Sequence, residues 1–278
     1  MYKTKFLMKI GNQDEFDLTE RIKGLTFLSE DSAPQFANNY QDISSFDGSS
    51  FAYETFAKST INANFWLHFT DYTDLKLAKH EIYRIFGTRR LIRIRTDTDP
   101  AKVYFVYPTP FEIMPTAGDH NIQFTIPFDN PSGYRYSLFR SDSPYTFEQN
   151  GWQLGMNLLM DGVPSYHFTT KNFKVYNASD IKVDPYEQRH DLKVITKFTG
   201  NSVKVTNQTN GSVWSYNKKS DGKQTIVLDG INSFLNGKNC NVDTNWGNLS
   251  LNPGYNSIAV TGATTVDITF SFPFIYLS

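Results

Sequence analysis

The residues of this chain that are able to do chemistry are thinly spread. The five histidines, His68, His80, His120, His167 and His190, keep no His-x-His or His-Glu-x-x-His spacing, so no pair is set on one face to grip a zinc ion. Cys240 is the single cysteine, which excludes an internal disulfide and a Cys-x-x-Cys metal knuckle. As a nucleophile it would need an activating base, and an inert thiol is the simpler reading. Asp184-Pro-Tyr-Glu-Gln-Arg-His-Asp191 gathers carboxylates and a histidine. A β-sandwich glycoside hydrolase would use Glu187 there as acid or base, with a second carboxylate roughly 5–10 Å away. A solvated loop between strands accounts for the same residues. Asp97 and Asp99 flank a threonine, but the glycine and glutamate of an EF-hand loop are missing, and a turn before Pro100 suffices. No catalytic residue, no metal ligand and no cofactor site is assigned, and the chain is read as a non-enzyme.

Two clusters could bind rather than react. Arg89-Arg-Leu-Ile-Arg-Ile-Arg95 is the one basic run. Its plain reading is an alternating strand with a solvated arginine face, and no aromatic stacking platform of the nucleic-acid type accompanies it. Trp152, Trp214 and Trp246, with Tyr216 and Tyr255, supply rings that are either core or a sugar-stacking surface. Trp214, Trp246 and Tyr255 are the candidate glycan-stacking residues.

Composition bounds the classes. The chain has 278 residues, 39% of them hydrophobic and 15% aromatic, enough to bury a core and weighted towards strands and interfaces. A net charge of −1 recruits no nucleic acid by bulk electrostatics. No apolar run approaches the ~20 residues that span a bilayer. Met1–Ile10 shows no apolar leader, and sequons at Asn177, Asn207, Asn210 and Asn248 carry no meaning without a secretory route. A soluble protein made in a reducing cytosol is expected.

The elements that must position these residues are mostly strands. Short strands are expected at Phe16–Thr19 and Leu25–Leu28. A polar stretch from Ser29 to Asp42 reads as a loop or arm, and Asp47-Gly48 as a hairpin turn. Strands follow at Phe51–Phe56 and Thr60–Phe69, the second placing Ile61, Ala63, Phe65, Leu67 and Phe69 on one face. One helix is predicted. Asp71 caps it, Leu75, Ala78, Ile82, Ile85 and Phe86 form its apolar stripe, and Gly87 stops it. Strands at Leu91–Arg95, Val103–Tyr107 and Asn121–Phe128 follow, with Pro127 suggesting an edge or a strand terminus.

Turn formers over Asp129–Asn150 mark a domain boundary, taken as 1–140 and 141–278. Beyond it, short strands at Val194–Phe198, Ser202–Asn207, Val213–Tyr216 and Gln224–Leu228 alternate with Gly/Asn turns, as in a sandwich or jelly roll. A Pro253-Gly254 turn leads to an alternating strand and an aromatic C-terminus, read as a paired strand because ordering so apolar an end must be offset by burial. The fold class is mainly β. It comprises an α+β N-terminal domain, with one main helix packed on a β-sandwich, and a C-terminal β-sandwich.

The order of local motifs resembles the siphophage distal tail family, phage tail-tip hub proteins. Asp47-Gly48 follows the arm. The helix leads into Leu91-Ile-Arg-Ile-Arg95 and Asp99-Pro-Ala-Lys-Val-Tyr-Phe-Val106. Phe124-Thr-Ile-Pro-Phe-Asp-Asn-Pro-Ser-Gly-Tyr-Arg-Tyr136 closes the domain, and Leu251-Asn-Pro-Gly-Tyr-Asn256 opens the last strand. The resemblance implies a virion structural protein at the tail tip, made in the host cytoplasm. It implies a homohexameric ring, single or stacked in two, built by the N-terminal domain. The ring would dock to the tail tube protein on one face and to a tail-associated lysin or fibre protein on the other. It implies a galectin-like C-terminal domain that can hold receptor-binding protein, DNA only in passage through the channel, and no membrane. Inserted carbohydrate-binding modules occur in some relatives, for which 278 residues leave little room. Within that frame Pro34, Phe36, Tyr40 and Phe46 are the candidate interface arm. Arg89, Arg90, Arg93 and Arg95 become a candidate basic channel rim. The alternative is a carbohydrate-binding adhesin.

Overall fold

The computed structural model describes residues 4–45, 47–145, 151–159 and 162–277. Strands hold 50% and helices 8%, so the chain is mainly β, as expected. It divides into two compact units, one running to Arg135 and including Leu277, the other Tyr136–Tyr276.

The first unit contains β1 (Phe6–Ile10), β2 (Phe16–Asp17), α1 (Leu18–Arg21), β3 (Leu25–Ser32), β4 (Phe36–Asp42), β5 (Ser49–Phe56), β6 (Ser59–His68), α2 (Tyr72–Phe86), β7 (Ile92–Thr96), β8 (Lys102–Pro108) and β9 (Asn121–Asn130). The sheet order is β2-β1-β7-β8-β9-β6-β3. β1 and β3 lie far apart in that order, yet the Phe6 ring sits 5.2 Å from Phe27 on β3 and 5.3 Å from Phe65 on β6. The sheet therefore curls so that its ends share one core. Alternation does this: β1 and β6 bury every second residue, and Phe6, Met8, Ile61, Ala63, Phe65 and Leu67 are fully enclosed.

Helix α2 covers this core. Asp71 caps it, its Oδ1 accepting from the N–H groups of Thr73 and Asp74 at 2.8 Å each. Leu75, Ile82, Ile85 and Phe86 are buried, and Phe86 meets Phe128 edge-on at 5.7 Å. No helix among the described residues is long and apolar enough to cross a membrane.

Several local expectations are corrected. Only Phe16 and Asp17 of the strand expected at Phe16–Thr19 are extended. The Asp17 carboxylate then accepts from Thr19 N at 2.9 Å and starts α1. The polar stretch Ser29–Asp42 is not irregular: its first residues prolong β3 and its last seven are β4. Strand β9 lies between β8 and β6, so Pro127 is not on an edge strand. The ladder gives up one N–H there, while the Pro127 carbonyl still accepts the Thr109 N–H at 2.9 Å and its hydroxyl at 3.1 Å.

The second unit contains β10 (Arg135–Arg140, beginning at its border), β11 (His167–Phe168), β12 (Asn172–Asn177), β13 (Lys193–Asn207), β14 (Val213–Tyr216), β15 (Ser220–Asp221), β16 (Ile226–Asp229), β17 (Asn232–Leu235), β18 (Lys238–Asn239), β19 (Gly254–Ser271) and β20 (Pro273–Tyr276). The two strands expected at Val194–Phe198 and Ser202–Asn207 are one. β13 runs 15 residues against the 18-residue β19, and Gly200 marks a register shift rather than a turn. The aromatic end is paired, β20 with β10, and Phe274, Ile275 and Tyr276 are buried. The Pro253-Gly254 turn is clamped by buried amides. The Asn207 side chain donates to Ser250 O at 2.8 Å and Asn256 Oδ1 at 3.0 Å, and Asn256 donates to Asn252 O at 2.8 Å.

Gly24 opens β3 at φ +81°, and a Cβ there would stand 2.1 Å from the His68 carbonyl oxygen on β6. Gly24→Ala is expected to destabilise the protein by about 2–4 kcal/mol, through strain and loss of the β3–β6 register. Urea unfolding checks this, and an unchanged midpoint would mean the strand pair yields freely.

Candidate assembly surface

Among the described residues, strands β4 and β5 pair only with each other. Asp47-Gly48 turns the chain between them, and Ser49 Oγ donates to the Asp42 carboxylate at 2.6 Å. Of the expected arm residues, Pro34 precedes β4, Phe36 and Tyr40 lie on it, and Phe46 falls outside the described residues. A register shift between Asn39 and Tyr40 brings Phe51 opposite Tyr40. The Phe36–Phe56 rings then lie 5.4 Å apart and the Tyr40–Phe51 rings 6.0 Å apart, two cross-strand aromatic pairs. Phe56 roots the ribbon by meeting Tyr134 edge-on at 5.3 Å. The other rings are in water: Phe36 is 55% exposed, Tyr40 59%, Phe51 57% and Tyr53 57%. A lone two-stranded hairpin is marginal in water, and this one adds four exposed rings. The strand expected beside the arm at Phe51–Phe56 is β5, and it forms the other half of the ribbon. Phe51 and Tyr53 are its further aromatic residues, and their signal was the run of aromatics just after Asp47-Gly48.

The basic run is divided. Ile92, Ile94 and Thr96 point into the core, so Arg93 and Arg95 point outward from β7. Both meet Glu15. Arg93 Nη2 donates to Glu15 Oε1 at 2.9 Å, Arg95 Nε donates to both oxygens at 3.0 and 3.1 Å, and Arg95 Nη2 makes a further short contact. Arg95 Nη1 also donates to Pro100 O at 2.7 Å. Burial pushes the Glu15 carboxyl up, but the hydrogen bonds and charges of Arg95 and Arg93 outweigh it and hold it below its ordinary value. Arg89 and Arg90 remain exposed on the turn after α2. The run is thus divided into a half held by Glu15 and an exposed half.

The chemical candidates are structural. The Asp184 carboxylate accepts the N–H groups of Tyr186 and Glu187 at 3.0 Å each and pairs with Lys182 Nζ at 2.6 Å, so the Asp184–Asp191 segment is a closed turn. Asp99 pairs with Arg135 at 2.5 Å, and that guanidinium lies 4.6 Å from the Tyr104 ring centre. Cys240 is buried, and burial with the nearby Asp243 charge pushes its thiol up. Among the described residues no three His, Cys, Asp or Glu converge as a metal site.

The candidate stacking residues separate too. Trp214 is fully buried and its indole N–H donates to Ser233 Oγ at 3.0 Å, so it is core, as are Trp152 and Tyr216. Trp246 is 69% exposed and Tyr255 53%. Tyr255 packs on Tyr176 at 5.0 Å, with Lys174 Nζ 5.9 Å from its ring.

Residues 16–130 match the family described as phage tail protein RIFT-related domain. The match bears out the family read from the order of motifs, and the ribbon lies within it. The fold of the chain is similar to the crystal structure of Dit (gp 19.1) of phage SPP1, with a TM-score of 0.65 and 12% identity over 97% of this chain and 99% of that one. Two structures of the phage p2 baseplate in its activated conformation were also compared. The one with Sr aligns at TM-score 0.45 and 10% identity over 97% of both chains, and the one with Ca at 0.46 and 9% over 98% of both. No curated protein matches the chain.

Glu15 is the linchpin of the outward arginines of β7. Glu15→Gln is expected to destabilise the protein by about 1–3 kcal/mol at neutral pH, because two partly buried guanidinium groups lose their counter-charge. Since the folded carboxyl titrates below its ordinary value of 4.5, its stabilisation is full above that value and fades as pH falls through the lowered one. Urea midpoints of the two proteins should therefore converge on acidification. A constant gap would assign the effect to something other than this charge.

Proposed function

We propose that the chain is a structural subunit of a tail-tip ring, held to neighbouring copies by the β4–β5 ribbon. The observation that carries this is the ribbon itself: two strands with no third, displaying Phe36, Tyr40, Phe51 and Tyr53 to solvent. Covering such rings is worth about 1.5–3 kcal/mol each. A neighbour's surface would provide the packing that a free hairpin lacks, and the ordering of the ribbon would be linked to assembly. Between Pro34 and Ala57 the described ribbon carries Asp42, Asp47 and Glu54 and no basic residue, so the receiving surface should be apolar and not acidic.

The SPP1 protein with a similar fold is titled a paradigm of hub adsorption apparatus in phages infecting Gram-positive bacteria. Carried to this chain, that suggests a homohexameric hub between the tail tube protein and a lysin or fibre protein, bearing receptor-binding protein outside. DNA would pass through it without sequence-specific contact. No catalysis and no cofactor are part of this reading.

In light scattering, the full chain should run as a multiple of 31.9 kDa and show a ring with a central hole in negative stain. Tyr40→Ser with Phe51→Ser should weaken each contact by on the order of 2–4 kcal/mol and yield folded monomers. A wild-type monomer would sink the ring reading. A ring that survives the double substitution would sink only the ribbon's part in it.

A further inference from the structure

Trp246 is 69% exposed, yet its backbone stands at φ +56°, a left-handed conformation that a residue with a bulky side chain adopts only when its surroundings impose it. The loop around it does so. The Asn245 side-chain oxygen accepts Ser215 N at 2.9 Å and Gly247 N at 3.1 Å. Thr244 Oγ1 accepts Trp246 N at 3.1 Å and donates to Asn241 O at 2.7 Å. The segment is laced to the chain around β14 by Asn217 N to Asp243 O at 2.8 Å and Asn245 N to Ser215 O at 3.2 Å. Residue 247 has to be glycine, since a Cβ would stand 2.1 Å from the Val213 carbonyl oxygen. All this holds an indole that stands mostly in solvent. Among the described residues the Trp246 side chain has no hydrogen-bond, aromatic or cationic partner.

The surroundings say what such a ring could meet. From Asn239 to Asn252 the only charged residue is Asp243, whose carboxylate lies 3.7 Å from Lys218 Nζ, so nothing there selects an ion. The neutral polar groups of the segment are partly spent on the fold itself: Asn241, Thr244 and the Asn245 oxygen are hydrogen-bonded within it, which leaves the Asn245 amide N–H groups and Asn248 to meet a ligand's hydroxyls. A single indole face is far smaller than the ~800 Å² per partner of a stable protein interface. It matches one sugar ring, whose C–H face stacks on an aromatic face while neighbouring amides reach its hydroxyls. We propose that Trp246 is a preorganised stacking platform for an uncharged saccharide. This is independent of the ring, and it uses neither Trp214 nor Tyr255.

The full chain would be screened on an array of neutral glycans and titrated with chitotetraose and maltoheptaose by fluorescence. At least one saccharide should bind. Trp246→Ala should weaken it at least about tenfold, Trp246→Tyr should keep part of the affinity, and Tyr255→Ala should bind as wild type does. Trp246→Gly should abolish binding while leaving the melting temperature unchanged or raised, because glycine takes this backbone conformation without strain. Failure of every glycan to bind would overturn the proposal, including the case in which Val242, 80% exposed on the same loop, marks a protein contact instead. So would binding unaffected by Trp246→Ala, or a lowered melting temperature in Trp246→Gly.

Discussion

Closure of the first sheet over Phe6 is the constraint on which its domain rests. A path of seven paired strands has two ends to protect, and here the rings of Phe6, Phe27 and Phe65 bring strands near both ends onto one core, with α2 laid over it through Phe86 and Phe128. None of the described residues of β4 or β5 belongs to that core, and Phe56 meets Tyr134 at the ribbon's root. The aromatic residues further along β4 and β5 are therefore surplus to the domain's own hydrophobic needs. Surplus apolar surface on a short, two-stranded element has a physical meaning different from an exposed leucine on a helix: beyond the pairing of the two strands with each other, both outer edges and the solvent faces of the rings are uncovered among the described residues.

The second unit solves a different problem. Its long β19 is entered through a tight turn at Pro253-Gly254, and polar groups around that turn lie in the interior. Asn177, Asn207 and Asn256, each no more than 1% exposed, satisfy them by donating to Leu251, Ser250 and Asn252 carbonyls. Two of these asparagines head sequons, but their amides are committed to the fold. The same device, an asparagine side chain standing in for a backbone partner, recurs at Asn245, where it stabilises a conformation that the neighbouring tryptophan would otherwise refuse. Side-chain-to-backbone bonding is what makes that strain affordable.

Legibility followed periodicity. Helix α2 and strands β6 and β9 each bury one face, and the spacing of Leu75, Ile82 and Phe86, or of Ile61, Phe65 and Leu67, states this in the sequence. β4 has no buried face, so Phe-Ala-Asn-Asn-Tyr carried no alternation to read, and its strand character exists only through its pairing with β5. The continuity of β13 through Gly200 depends on β19 holding both halves in one ladder, which no local signal announces. Trp214 and Trp246 have similar sequence surroundings of Ser, Asn and Gly. Their opposite fates are set by register, Trp214 sitting opposite Val205 in a ladder and Trp246 on a left-handed turn.

The arginines of β7 show how a distant residue changes a functional reading. The alternation with Ile92 and Ile94 correctly turns Arg93 and Arg95 outward, but their counter-ion is Glu15, 78 and 80 residues away in sequence. With it, three charges leave a net +1 instead of +2. In a ring of the proposed kind, DNA would slide past six copies of whatever faces the channel. A wall of free arginines would retain the phosphate backbone through counter-ion release, and each additional contact would slow passage. Exposed Arg89 and Arg90 could still tune that field. The Glu15 triad, wherever it faces, adds little to it, because guanidinium forks closed on a carboxylate have few donors left for phosphate.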